Sequence, residues 1–163
     1  SILLFTSSST AMGKRLIRSW LEHPLLNVSA INNRQSAVEE LVNNNMLRLD
    51  IMDALSGIFD IERLMTRIVY GSANGRELRS LAAALQKLPQ LSELVADCSA
   101  KYLKKVYKEI DLLEDIYNLI DSAIVEEPPF SVREGGMIKK GYNPDLDILL
   151  TDMNRNCKSF LCG

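Results

Sequence analysis

Apolar side chains recur every three or four positions along most of this chain, a spacing typical of amphipathic helices. Polar caps such as Asp60 and Asn74, together with glycines and prolines, divide the pattern into segments of helical length. Five helices are predicted over residues 11–23, 29–42, 46–55, 60–70 and 76–88. Pro89 is predicted to close the fifth of them. After it, the pattern predicts a short helix over residues 90–99, a lysine-rich helix, a helix that ends near Val125 and a last helix from Pro144.

Residues 111–150 carry the clearest local signals. A helical apolar stripe runs up to Pro128 and Pro129, which cannot donate a backbone N–H and therefore end the helix. Residues 131–140 place apolar side chains on both sides of a glycine pair, which predicts a short hairpin whose turn needs positive φ. Asn143 then stands as the cap of the last helix.

These elements predict an all-α, bundle-like core domain with one short β-hairpin near residues 130–140. The length of 163 residues and the hydrophobic content of 47% suit one domain with a real core. Residues 1–163 are therefore interpreted as a single helical domain. No repeat of about 20 to 50 residues is visible, so a solenoid is not expected.

Composition narrows the classes of function. The formal net charge of -2 and the pI near 5.5 argue against a domain that holds nucleic acid by charge alone. Three cysteines and one histidine make a poor disulfide framework and a poor zinc site, so we expect a reducing, cytoplasmic compartment and no bound metal. No apolar window reaches the roughly 18 residues of a membrane span, so no membrane partner is expected.

Residues with catalytic potential do not form a recognisable active site. The string STAMGKR, from Ser9 to Arg15, lacks both the earlier glycine and the later Ser or Thr of a phosphate-binding loop. His23 is the only histidine, and its position at a helix end favours an interaction with the helix dipole or solvent over catalysis. The carboxylates between Glu114 and Glu127 fall mainly on the polar side of a helix. The sequence therefore predicts no catalytic, cofactor-binding or metal-binding residue, and no enzyme.

Two basic features leave alternatives open. Arg34 lies on the inward face of its helix, which favours pairing with a carboxylate or free carbonyls over a phosphate contact. Four lysines stand beside two tyrosines: Lys101, Lys104, Lys105 and Lys108. Such a run is either a nucleic-acid strip or, more commonly, the solvated face of a helix. The sequence does not assign any residue to DNA binding.

Several segments together resemble one protein family. TAMGKRLIRSWLEHPL, from Thr10 to Leu25, closely resembles the start of the core or lever domain of MutS, the DNA mismatch-repair family. INNRQSAVEELV from Ile31 and DIERLMTRI from Asp60 follow in the expected order. The proline pair, REGG and GYNPDLD within residues 111–150 resemble the part that leads into the arm towards the DNA clamp. The resemblance covers essentially the whole chain.

The sequence departs from the family pattern in three places. The family commonly has an acidic residue shortly before TAMG, whereas residues 6–9 offer only hydroxyl groups. Gln35 and Ser36 replace the usual apolar-acidic pair after the helical arginine. Gly75 stands where a proline often precedes Arg76, a change that the start of a helix tolerates.

The resemblance implies a structural segment of a larger machine. MutS-like proteins recognise mismatches with a Phe-x-Glu motif and bind ATP and Mg²⁺ through a C-terminal phosphate loop, and this sequence contains neither motif. The chain would be the N-terminal half of the core domain, with the lever arm starting near residue 143 and the inserted clamp missing. Its partners would be the connector, clamp and ATPase domains of the same protein. Mismatched DNA and a MutL-type partner would be reached only through the full-length, dimeric protein.

Two other classes of function are alternatives. A free-standing helical interaction module would bind a partner helix in an apolar groove. A small enzyme would need a nucleophile, base or metal set that this sequence does not display. If the returning lever is absent, we expect the last helix to expose an apolar side and the fragment to self-associate through it. The residues on that side are Leu146, Leu149, Leu150 and Met153.

Overall fold

The computed structural model describes residues 8–160, with side chains up to residue 152. This range contains α-helices and a single 3-10 turn, Val132–Glu134, and no strand, so the predicted all-α class is confirmed. The nine helices within residues 8–160 are α1 Ala11–Glu22, α2 Val28–Asn43, α3 Asn45–Leu55, α4 Ile61–Val69, α5 Gly75–Leu85, α6 Leu88–Ala96, α7 Lys101–Glu109, α8 Glu114–Ala123 and α9 Pro144–Phe160.

Polar side chains cap the helix starts where the sequence predicts them. Asp60, Asn74 and Asn143 each accept a hydrogen bond from a backbone N–H in the first turn of the helix that follows. Asn74 also forms a capping box with the third residue of α5. Gly57 and Gly71, after α3 and α4, have the positive φ of left-handed C-terminal positions. Local capping therefore fixes these boundaries.

Pro89 begins a helix instead of closing one. α5 ends at Leu85, and α6 starts at Leu88 with Pro89 in its first turn. A proline costs little there because the first N–H groups of a helix have no partner within the helix. The prediction that the fifth helix extends to Leu88 and ends at Pro89 is wrong for this reason.

The β-pairing expected within residues 131–140 forms with a different partner. Ile138 makes an isolated antiparallel bridge with Ile124, flanked by backbone hydrogen bonds of 2.8 and 3.1 Å. Val132, which was predicted to lie in the hairpin, is in the 3-10 turn and exposed. The observed pairing packs Met137 and Ile138 against the buried core. Partial burial of these two side chains favours the longer-range pairing.

Two buried clusters hold the helices together. The first joins α4, α5 and α8 and consists of Leu64, Leu81, Ala82, Leu85, Ile120, Ala123 and Ile124. The second joins α2, α6 and α7 and consists of Ala37, Val95, Cys98 and Leu103. α3 packs on α2 and α6, whereas α9 has no extensive packing partner among the described helices. None of the described helices has the length and apolar character needed to cross a bilayer.

Gly75→Ala should destabilise the fold by about 1 kcal/mol through overpacking. A Cβ at Gly75 would lie 2.9 Å from Met137 Sδ and 3.0 Å from Pro128 Cβ. Urea unfolding measures the change in free energy. As a control, the same substitution in a Met137→Ala background should cost less, because the truncated side chain leaves room. Equal costs in both backgrounds would contradict the close approach.

Candidate functional site: the corner before the last helix

Residues 124–143, here called the corner, connect α8 to α9. Gly135, Gly136 and Gly141 have φ of +70°, +73° and +87°, a region that residues with a Cβ rarely adopt. The 3-10 turn lies just before the first two glycines, and Ser131 caps it. The corner therefore reverses the chain with glycine geometry at several points and sets the position at which α9 begins.

The corner is anchored on the first turn of α5. Arg76 donates a hydrogen bond from Nε to the carbonyl oxygen of Pro128 at 3.0 Å, and its guanidinium lies 5.3 Å from the Phe130 ring centroid. Pro128 is buried, and Met137 packs on the core below it. The backbone at Gly75 passes so close to these two residues that a side chain there would require one of them to shift. Side-chain, backbone and packing contacts thus hold the corner on α5.

A charge network ties the same elements together. Arg79 on α5 donates to Asp121 on α8 at 2.8 Å, and Lys139 of the corner lies 4.0 Å from the same carboxylate. The hydrogen bond from Arg79 lowers the pKa of Asp121. Beside this network lies an open cleft of about 680 Å³, lined in part by Arg76, Tyr117 and Glu126. α5, α8 and the corner therefore share polar as well as apolar contacts.

α9 starts at the corner and exposes apolar side chains. The Gly141 N–H donates to Asp147 Oδ2 at 2.7 Å, which links the corner to the first turn of α9. Leu149 and Leu150 are 61% and 39% exposed, as expected for a helix without a packing partner, while Leu146 is half-buried. The side chain of Met153, also predicted to be exposed, lies outside the described residues.

An ion pair holds α1 to the start of α4. Arg15 donates to both oxygens of Asp60 at 2.7 and 2.8 Å and also pairs with Glu62. The Arg15 hydrogen bond lowers the pKa of Asp60 to about 2, and the pKa of Arg15 is raised. α1 has no buried residue, so this polar contact contributes an important part of its attachment. The cap at Asp60 was predictable from the sequence, whereas its long-range partner Arg15 was not.

Arg34 contacts an aromatic ring. Its guanidinium carbon lies 3.7 Å from the centroid of Trp20, so a cation–π contact joins α2 to α1. The expectation of a carboxylate or carbonyl partner was wrong within the described part of the chain, because a planar guanidinium stacks on the indole that α1 presents. This contact, like the Arg15 pair, orients α1 without burying it.

Glu40 caps a distant helix. Its carboxylate accepts hydrogen bonds from the backbone N–H groups of Ser99 and Ala100 at 2.6 and 2.7 Å, at the start of α7. These two bonds lower the pKa of Glu40. Because α7 has no side-chain cap of its own, the sequence around it gave no sign of this contact. A cap supplied by α2 is visible only once the helices are assembled.

The other residues considered as possible functional groups from the sequence lie outside the corner. Thr10 caps α1 by accepting from the Gly13 N–H at 3.0 Å, so STAMGKR forms a helix start. His23 is exposed at the end of α1, and the four lysines of α7 are exposed as well. Within the described residues, His, Cys, Asp and Glu side chains form no group of three or more that could hold a metal ion. Burial raises the pKa of the Cys98 thiol.

The described fold is an all-α domain in which a glycine-rich corner leads from a helical body into a long helix. A family model for MutS domain III matches residues 3–161. The chain therefore belongs to the MutS domain III family, which confirms the resemblance.

Several relatives with substantial identity are named DNA mismatch repair protein MutS. The DNA mismatch repair protein MutS of Caldicellulosiruptor saccharolyticus is 45% identical over 158 residues, which is 97% of this chain and 18% of that protein. The protein of that name from Desulforamulus reducens is 43% identical over 157 residues, 96% of this chain and 18% of the relative. The Halothermothrix orenii protein is 46% identical over 140 residues, 86% of this chain and 16% of the relative. The chain thus spans less than a fifth of the length of these curated relatives.

Asp60→Asn should remove part of the acid sensitivity of the fold. The folded-state pKa of about 2 lies below the ordinary 3.8, so the ionised carboxylate stabilises the fold fully above about pH 4, and the contribution is lost as pH falls towards 2. Asparagine keeps the cap but loses the charge, so the variant should be about 1 kcal/mol less stable at pH 7.

Urea unfolding at pH 7 and at pH 2 to 3 tests this expectation, and the difference between the two proteins should shrink in acid. Arg63→Gln is the control, because Arg63 is exposed and lies 3.5 Å from the same carboxylate. A pH-independent difference would contradict the assignment of the ion pair.

Proposed function

We propose that this chain serves as the core and lever segment of a MutS-type mismatch repair protein, with α9 as the beginning of the lever arm. The observation that carries this proposal is the anchoring of the corner. α9 starts three residues after Gly141, and the corner is held on α5 by Arg76, Met137 and the close approach at Gly75. A displacement of α9 would therefore be passed to α5 and α8.

The physical basis of this role is the stiffness of a helix that is anchored at one end. A hydrogen-bonded helix moves as a rigid rod, and coupling between distant sites requires elements that move between discrete positions. The corner supplies the joint, because its glycines permit the reversal while its apolar side chains keep it on the core. Arg79, Asp121 and Lys139 add charge contacts across the same joint.

We infer that the chemistry of the whole protein resides in other parts of it. In the family that the sequence resembles, ATP and Mg²⁺ bind to an ATPase domain, and mismatched DNA is held by the mismatch-binding and clamp domains. The partners of this segment would be the connector, clamp and ATPase domains of the same polypeptide, and a MutL-type protein would act through the assembled dimer. A cytoplasmic location is part of the same proposal.

The 163-residue chain by itself should show no ATP hydrolysis above background and should bind mismatched and matched duplexes equally. This expectation follows from assigning both activities to other domains. Coupled-enzyme assays and fluorescence anisotropy with two duplexes that differ at one base pair measure the two properties. Appreciable turnover, or a clear preference for the mismatch, would refute the proposed division of labour.

The corner should matter for communication in a whole protein. In a chimera of the Caldicellulosiruptor saccharolyticus MutS that carries this chain in place of its matching segment, Arg76→Gln should reduce the effect of a mismatch on ATP hydrolysis by about threefold or more. Binding of ATP alone and of DNA alone should change by less than about twofold, since Arg76 acts through the corner.

Lys105→Gln is the matched control for that experiment. Lys105 is an exposed basic residue on α7 without a corner contact, so its replacement should leave the mismatch response unchanged. If Arg76→Gln retains the full response, the corner does not transmit the signal and the lever assignment fails.

A further inference from the structure

α3 carries apolar side chains on two opposite sides. Leu47, Ile51 and Ala54 face the body, where Ala54 is buried and the other two pack on the cluster of α2, α6 and α7. On the opposite side, Met46, Leu49 and Met52 are 76%, 52% and 44% exposed. These three residues are spaced three apart and therefore lie along one side of the helix, here called the outer face of α3.

An exposed helix normally places polar residues on its outward side. α7 does so in this same domain, where four lysines occupy the side away from buried Leu103. A helix with apolar residues opposite its packed side departs from this pattern. The outer face of α3 therefore has the composition of an interface, and two of its three apolar side chains are methionines, which adapt their shape to a partner.

The charges beside this face are acidic. Asp50 and Asp53 are exposed, lie next to Met46 around the helix and form no salt bridge within the described part of the chain. Arg48 is turned towards α2, where it donates to the carbonyl oxygens of Leu41 and Val42 at 3.3 Å. The apolar face thus has a carboxylate edge, which complements a partner with lysine or arginine.

We propose that the outer face of α3 docks an amphipathic helix of a partner protein, one whose apolar stripe is flanked by lysine or arginine. Helices commonly recognise each other in this way, through apolar anchors three and four residues apart. A second copy fits less well, because two such faces bring four carboxylates together. This binding site is separate from α9 and does not depend on the lever role.

Two model peptides of about 18 residues, roughly five helical turns, test the proposal. Both carry the same leucine stripe, flanked by lysine in one and by glutamate in the other. By fluorescence anisotropy, the 163-residue chain should bind the lysine peptide at least about tenfold more tightly than the glutamate peptide. Leu49→Asp should weaken the binding of the lysine peptide by about tenfold or more, because it places a charge at the centre of the apolar contact.

The double variant Asp50→Lys, Asp53→Lys supplies a gain-of-function test, since it should reverse the preference in favour of the glutamate peptide. Val69→Asp is the matched control, because Val69 is an exposed apolar residue on α4 with 78% of its surface accessible. That variant should bind both peptides as the parent does. Circular dichroism of every variant verifies that the helical content is retained.

Three results would overturn the proposal. Equal affinity for the two peptides would remove the role of the carboxylate edge. Equal loss of binding in Leu49→Asp and Val69→Asp would show that any apolar surface suffices. Sedimentation velocity that shows the parent self-associating and Leu49→Asp monomeric would assign the face to a second copy instead of a partner helix.

Discussion

The close contact between the corner and the start of α5 is the constraint on which the rest of this structure depends. A glycine at position 75 lets Met137 and Pro128 approach the helix backbone, and Arg76 then reaches the Pro128 carbonyl. The same approach brings Ile138 to Ile124 and completes the buried cluster of α4, α5 and α8. Because the corner packs on the core, the position at which α9 begins is set by packing.

The two ends of the described region are attached differently. α9 is joined through apolar packing of the corner, whereas α1 is held by the Arg15 ion pair and the stacking of Arg34 on Trp20. Polar contacts at the surface are individually weak and depend on salt. α1 is therefore the element whose attachment responds most readily to pH and ionic strength, while the corner stays with the core.

Local features were predictable from the sequence and long-range partners were not. Asp60, Asn74 and Asn143 cap helices because a few neighbouring residues decide a cap. The pairing of Ile138 with Ile124 and the capping of α7 by Glu40 depend on how distant segments pack, which periodicity does not encode. Pro89 was misassigned because a proline is compatible with both the end and the first turn of a helix. The family resemblance came from ordered motifs, and it located the corner without revealing what anchors it.

The most direct test of the account is the distance between α5 and α9 in solution. Spin labels at Ala83→Cys and Asp152→Cys, in a chain whose three native cysteines are replaced, report that distance by double electron–electron resonance. A label pair on α5 and α8, at Ala83→Cys and Asn118→Cys, gives the width of the distance distribution that is expected within a rigid body. A rigid corner predicts an equally narrow distribution for the α5–α9 pair and a broader one after Met137→Ala. A broad distribution in the parent chain would contradict the claim that the corner fixes α9 to the core.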